Sequence, residues 1–155
     1  MSTELVQSFY EAFSRRDAEG MAACYADDVR FSDPVFTDLR GERAKDMWRM
    51  LCERGKDLEI TFHDVKVDGA RGSARWEARY TFGATGNRVH NVIDASFVFA
   101  DGKVVEHVDR FDLRRWCGMA LGISGKLFGW TPLLQSAVRR KGAAGLDAWI
   151  AKRDR

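Results

Sequence analysis

A chain of 155 residues, 45% hydrophobic and 31% charged, is long enough to bury one real core, and its composition excludes a disordered or fibrous protein. Its formal net charge of +2 sets up no strong overall field toward nucleic acid or a membrane surface. Cys24, Cys52 and Cys117 stand far apart, with no CxxC and no Cys/His cluster, which argues against a disulfide framework and against a zinc site.

No basic segment followed by an apolar run opens the chain, and no stretch approaches membrane-spanning length, so a cytoplasmic protein without membrane contact is expected. The charge is unevenly spread. From Leu113 to Arg155 nine Lys/Arg face only Asp147 and Asp154, a surplus of +7, which leaves −5 on the preceding residues. The cations are not interleaved with a stripe of exposed aromatics, so a basic tail lying on an acidic body or partner subunit is expected, not a nucleic-acid surface.

Ser2-Thr3-Glu4 can cap a first helix, in which Leu5, Val6, Phe9 and Phe13 recur at helical spacing. Asp17 reads as the N-cap of a short second helix through Met21, Cys24 and Tyr25, ended by Asp27-Asp28. Val29-Arg30-Phe31 is a brief extended segment, and Asp33-Pro34 forces a turn or extended backbone. Gly41 and Gly55 bracket a third helix with Met47, Trp48 and Leu51 on one face.

From Leu58 the period changes to two. Leu58, Ile60 and Phe62 alternate with polar residues, and Asp68-Gly69 turns the chain. Trp76, Ala78, Tyr80 and Phe82 share one face of the next strand. After Thr85-Gly86-Asn87 a long strand puts Asn91, Ile93, Ala95, Phe97 and Phe99 on one face, and Asp101-Gly102 signals a tight hairpin. The last strand runs from Lys103 to about Asp112. Beyond it the chain is helical but broken by Gly118, Gly122, Gly125 and Gly129, with one helix opened by Pro132 toward Arg139-Arg140 and a last amphipathic one carrying Leu146, Trp149 and Ile150. The class is α+β: a curved antiparallel or mixed sheet, long enough to curl, closed into a cone by the N-terminal helices around a small apolar pocket.

If Trp76, Tyr80, Ile93 and Phe97 face the concave side, Asn91 faces it too. On the last strand the matching parity is Val105, His107, Asp109 and Phe111. His107 and Asp109 are then neighbours, about 7 Å apart along the strand. A carboxylate there costs free energy unless paired, so it marks either a satisfied polar spot in the core or a functional group. A bulge would instead turn both residues to the convex face. Asp33, read by itself, is a turn residue before Pro34.

The segment Tyr25-Ala26-Asp27-Asp28-Val29-Arg30-Phe31-Ser32-Asp33-Pro34 resembles the corresponding segment of bacterial ketosteroid isomerases. The end of the sheet, Asp101 to Trp116, is similar to the last strand of limonene epoxide hydrolase and of SnoaL-like polyketide cyclases. All are members of the nuclear transport factor 2-like superfamily of cone-shaped domains. The resemblance implies such a domain over residues 1–116, with a helical extension over 117–155 packed on it. Similarity to the isomerases puts Asp33 at a general base. Similarity to the epoxide hydrolase puts Asp109 at a water-activating carboxylate and Asp33 at a water-holding position.

The departures are specific. The isomerase oxyanion tyrosine falls on Phe9, its protonated acid falls on Ala95 or Asp94, and the Arg and Asp partners of the epoxide hydrolase fall on Trp76 and Ala78.

Two functions are therefore expected. One is cofactor-free acid–base catalysis, of isomerase, cyclase or hydrolase type, on a small apolar carbonyl-type molecule. Asp33, His107 and Asp109 would be the catalytic groups, and Phe9, Phe31, Trp48, Trp76, Tyr80, Asn91 and Phe111 the substrate-binding wall, with no metal. The other is a non-catalytic ligand-binding or dimerising module of the same fold. The resemblance also implies a homodimer through a convex face bearing Val92, Val98, Val104 and Val108.

Overall fold

The structure, a computed structural model, describes residues 2–155. Helix α1 (Ser2–Ser14) buries Val6, Phe9, Tyr10, Ala12 and Phe13. Helix α2 (Ala18–Cys24) starts where the sequence predicts: the Asp17 carboxylate accepts from the Gly20 amide at 2.9 Å. Strand β1 (Tyr25–Ser32) follows at once, and a two-residue strand β2 (Leu39–Arg40) pairs with it. Helix α3 (Glu42–Arg54) sits between Gly41 and Gly55 and buries Met47 and Trp48.

Strands β3 (Glu59–Asp68), β4 (Arg71–Thr81), β5 (Arg88–Ala100) and β6 (Lys103–Arg110) form an antiparallel meander. The Asp101-Gly102 hairpin between β5 and β6 holds both residues at positive φ, the primed turn that matches strand twist. The sheet order is β2-β1-β6-β5-β4-β3, and β1 joins β6 in parallel. Helices α1 and α3 cover its concave face. Phe9, Phe13, Phe31, Trp48, Trp76 and Phe97 meet there in mostly edge-to-face ring contacts.

Three expectations change. Tyr25 ends no helix: it opens β1, and the residues from Ala26 to Val29 fall in a register irregularity before pairing resumes at Arg30. A bulge opposite Val98 and Phe99 leaves Val105 unpaired and turns Val104 inward, so Val104 is fully buried and belongs to the core, not to the convex face. Finally, the two helices expected after Pro132 are one 22-residue helix.

The tail comprises α4 (Leu113–Leu121), α5 (Ile123–Phe128) and α6 (Pro132–Arg153). Asp112 caps α4, whose Leu113, Trp116, Cys117 and Ala120 build a second apolar cluster on Val89. Helix α6 passes over the loop between β1 and β2. Its Arg139 donates to the Pro34 carbonyl at 2.8 Å, and Leu146 is fully buried in the main core. Arg43 pairs with Asp147 at 2.7 Å, and Arg153 pairs with the buried Asp46.

Glycine inside a helix costs about 1 kcal/mol relative to alanine. At Gly142 a Cβ would stand 2.8 Å from Val35 Cγ1, so a larger residue there obliges the half-buried Val35 side chain or the helix to shift. Close packing against the loop accounts for a glycine in the middle of α6. Among the described residues no helix is long and apolar enough to cross a membrane.

Candidate active site

The parallel pairing of β1 and β6 sets the site. Phe31 lies opposite His107 and Ser32 opposite Val108, so the chain leaves β1 at Asp33 on the side of β6 that carries Asp109, near enough for the Asp109 charge to act on it. Asp33 is held by a tight turn, in which its Oδ1 accepts from the Val35 amide at 2.7 Å and from the Phe36 amide at 2.6 Å. Its own amide donates to the Phe36 carbonyl at 2.7 Å.

As a residue Asp33 keeps partial solvent contact, yet protein closes around its carboxyl. This burial pushes the carboxyl up to about 7; the negative charge of Asp109 adds to the rise, and the two amide bonds oppose it.

His107 and Asp109 point inward, as their parity on β6 predicts; His107 is fully buried and Asp109 3% exposed. The His107 Nε2 lies 2.8 Å from Asp109 Oδ1, and Trp76 Nε1 donates to the same oxygen at 3.3 Å. On the other side of the ring, Nδ1 lies 2.7 Å from the Tyr25 hydroxyl, which accepts from Trp48 Nε1 at 2.9 Å. The result is one buried chain from Trp48 through Tyr25, His107 and Asp109 to Trp76. All of the Asp109 hydrogen bonds fall on Oδ1; Oδ2 carries none among the described residues.

The residues expected on the wall divide into two groups. Phe9, Phe31 and Trp48 lie deep and pack on the His107 imidazole, with ring centres 5.5, 5.0 and 6.1 Å away. Tyr80 and Phe111 are half-buried with Val35 and Val138, at the seam between the two apolar clusters where Asp33 sits. Burial raises the Tyr80 phenol, the Asp33 charge adds, and a hydrogen bond from Trp116 Nε1 at 2.8 Å opposes. Asn91 is buried on the concave face opposite Ala78, and its amide makes no side-chain hydrogen bond among the described residues.

Sequence reasoning missed three residues. Tyr25 was hidden by its assignment to a helix, although it shares odd parity with Val29 and Phe31 once β1 is extended back to it. Trp116, which ties Tyr80, carries no signal in spacing alone. Tyr10 follows the expected Phe9 on α1; it is fully buried, and its hydroxyl has no partner among the described residues. Burial and then the Asp109 and Tyr25 charges hold that phenol well above its ordinary value.

Two concavities lie outside the cone. One of about 740 Å³ is bounded by the start of β5, α4 and α5 and carries Arg88, Arg114, Arg115 and Lys126. Another of about 160 Å³ lies under α6 beside Val35 and Phe36. Neither is lined by Asp33, His107 or Asp109, and His107 and Asp109 themselves sit at a packed interior position. Among the described residues no cluster of three or more His, Cys, Asp or Glu side chains is placed to hold a metal ion.

Two neighbouring carboxyls of different character have a direct chemical use. One whose carboxyl is pushed up to about 7 keeps a substantial protonated fraction at neutral pH and can donate a proton, and one fixed through a single oxygen has its other oxygen free to accept.

Comparisons with known proteins agree with this architecture. The structure resembles an LEH-like epoxide hydrolase from Mycobacterium tuberculosis, at 23% identity over 84% of this chain and 92% of that one, with a TM-score of 0.63. It also resembles a protein described as a SnoaL-like polyketide cyclase from Jannaschia sp., at 18% identity over 77% of this chain and 90% of that one, with a TM-score of 0.68. A third likeness is to a nuclear transport factor 2-like protein of unknown function from Burkholderia pseudomallei, at 24% identity over 72% and 92% of the two chains, with a TM-score of 0.62. At these identities the likenesses show the fold. No curated protein sequence matches the chain. The SnoaL-like domain family model matches residues 6–107, two-thirds of the sequence and the whole of the site up to His107, and the chain therefore belongs to the SnoaL-like domain family, within the nuclear transport factor 2-like superfamily.

Proposed function

We propose that this protein is a cofactor-free acid–base catalyst acting on a small apolar carbonyl-type molecule admitted at the seam beside Asp33. The observation that carries this reading is the pair of adjacent, unlike carboxyls: Asp33, pushed up to about 7, and Asp109, tied through Oδ1 alone. Asp109 Oδ2 takes the proton next to the carbonyl. Asp33, protonated, donates to the oxygen on which charge develops, an interaction strengthened by the low dielectric of the site. Tyr80, Phe111 and Asn91 form the nearer wall. His107 and the deep rings hold Asp109 from behind. The protein works in the cytosol, in keeping with three free, buried cysteines, and as a homodimer through the convex face carrying Val92, Val98 and Val108.

The test uses 2-tetralone in heavy water, with exchange of its α-protons followed by proton NMR. The wild type accelerates exchange, and Asp109→Asn and Asp33→Asn each abolish the acceleration while their circular dichroism stays native. An Asp33 carboxyl that titrates in the ordinary carboxylate range, together with no exchange by the wild type, removes the mechanism. Sedimentation as a monomer removes the homodimer.

A second reading has its own support: every polar group of the Trp48–Tyr25–His107 segment is satisfied within the core, and α6 covers the loop bearing Asp33. On that reading the protein is a ligand-binding or dimerising module of the same fold. It then binds 2-tetralone without exchanging its protons, and both Asn variants bind it equally well.

A further inference from the structure

Tyr25 belongs to no part of the chemistry just described, yet among the described residues it is the one hydroxyl bonded to the His107 ring. Its surroundings determine where every proton of the chain lies. The indole N–H of Trp48 can only donate, so at 2.9 Å the Tyr25 oxygen is its acceptor. The phenolic proton then has one partner within reach, Nδ1 of His107 at 2.7 Å. Nδ1 must accept, so Nε2 carries the ring proton and donates it to Asp109 Oδ1 at 2.8 Å. A second indole, Trp76, donates to that same Oδ1 and fills its remaining lone pair.

The opposite assignment leaves a group stranded. A protonated Nδ1 would donate to a Tyr25 oxygen that already accepts from Trp48, and the phenolic proton would be buried with no acceptor. Nor can the ring escape by rotating. Phe97 lies 4.4 Å from it, Trp48 stacks on it within 15° of parallel, and Phe9 and Phe31 close its edges.

From this geometry we propose that Tyr25, itself held by Trp48, is a positioning residue. It locks His107 in the neutral Nε2–H tautomer, so that the imidazole orients Asp109 and does not carry the proton. The role of the oriented carboxylate rests on the acid–base reading above; the tautomer does not. Within that reading, the proton taken up by Asp109 goes to Oδ2 and leaves from Oδ2, and never passes through the ring.

The experiment is a long-range proton–nitrogen-15 correlation spectrum of the labelled full chain at pH 6 and pH 8. The His107 signals are those that survive in a His63→Gln, His90→Gln double variant. The expected wild-type pattern has one ring nitrogen unprotonated and one protonated, with Nε2 as the N–H. Tyr25→Phe removes the lock and shifts His107 to a tautomer mixture or to the cation. Trp48→Phe, which keeps a ring in place, gives a smaller shift of the same sense.

A wild-type His107 that is doubly protonated or carries its proton on Nδ1 overturns the proposal. So does a Tyr25→Phe spectrum identical to wild type. If Tyr25→Phe does not fold, the wild-type spectrum and Trp48→Phe still decide the matter. In the 2-tetralone assay, Tyr25→Phe lowers kcat roughly ten- to hundredfold with KM nearly unchanged. No exchange by the wild type, with the expected tautomer present, removes the acid–base reading and leaves the tautomer lock standing.

Discussion

Asp33 stands beside Asp109 because β1 and β6 run in parallel and Asp33 is the first residue past their last pair, Ser32 with Val108. The strand ends there for a local reason: Pro34 can donate nothing to a ladder, and the Asp33 carboxylate takes the next two free amides itself. Thus the residue that stops the strand is also the one whose carboxyl is brought next to a second, deeper carboxylate.

This arrangement makes stability depend on pH. The folded-state value of Asp33, about 7, lies above its ordinary value of about 3.9, so the folded protein binds the proton more tightly than the unfolded chain. The contribution is fully present below about pH 4 and is lost as pH rises to about 7. Asp33→Asn keeps the acceptor for the two amides and cannot ionise. Its unfolding free energy is expected to exceed that of the wild type at pH 8 by an amount on the order of 2 to 4 kcal/mol, with a higher melting temperature, and to converge with it toward pH 4. Thermal melts across this range check it. Parallel curves for the two proteins would show that Asp33 titrates normally.

The buried chain makes a second prediction, on stability alone. His107→Phe keeps a flat ring among Phe9, Phe31 and Phe97 but withdraws the acceptor for Tyr25 and the stronger donor to Asp109. Asp109 is left with one hydrogen bond, from Trp76 at 3.3 Å. The loss is expected to be about 2–4 kcal/mol in urea denaturation, because a buried charge short of partners is costly. Phe31→Leu, which disturbs the same packing without touching a hydrogen bond, is the control at about 1–1.5 kcal/mol. A smaller loss for His107→Phe than for the control would mean that the chain contributes nothing beyond packing.

Glycine positions in the tail supply a third. A Cβ on Gly125 would lie within 1.8 Å of the Cys117 carbonyl oxygen, whereas one on Gly118 would meet only the flexible Lys126 side chain at 3.3 Å. Gly125→Ala must therefore separate α5 from α4 and is expected to lose at least about 2 kcal/mol. Gly118→Ala, inside α4, is expected to be neutral or to gain up to about 1 kcal/mol through helix propensity. Thermal melts of the two variants distinguish them. Equal effects would mean that α5 is not packed on α4 through its glycine face.

What was legible in the sequence follows from what has a period. The β4 and β5 alternation identified Trp76, Asn91, Ile93 and Phe97 as inward, and the same parity put His107 and Asp109 inside. It failed at Val104 and Val105, because a bulge adds a residue without changing the composition around it. Tyr25 was lost because a chain leaving a helix directly for a strand shows neither period. The continuity of α6 was unreadable for another reason: two glycines, Gly142 and Gly145, lie mid-helix, and the close approach of Val35 to Gly142 shows only in the fold. The hydrogen-bond chain, which joins residues up to 82 positions apart, has no local signature at all.

That same contact of Gly142 with Val35 yields the last prediction, which links the tail to the site. Val35 and Phe36 donate the two amides that grip Asp33, and α6 presses on both residues at Gly142, with Arg139 fastened to the Pro34 carbonyl one turn earlier. Gly142→Val places side-chain atoms where Val35 now lies, and either α6 or the loop must move. If α6 closes the seam over Asp33, water then reaches the carboxyl and the main cause of its raised value is removed. The variant is expected to lose about 1–3 kcal/mol of stability, and its Asp33 carboxyl is expected to titrate well below 7, toward the ordinary carboxylate range. A carbon-13 titration of the aspartate carboxyls reads this directly. An Asp33 that still titrates near 7 in a destabilised Gly142→Val would show that the sheet and Tyr80 bury it without help from the tail, whereas a fall makes α6 part of the acid–base machinery.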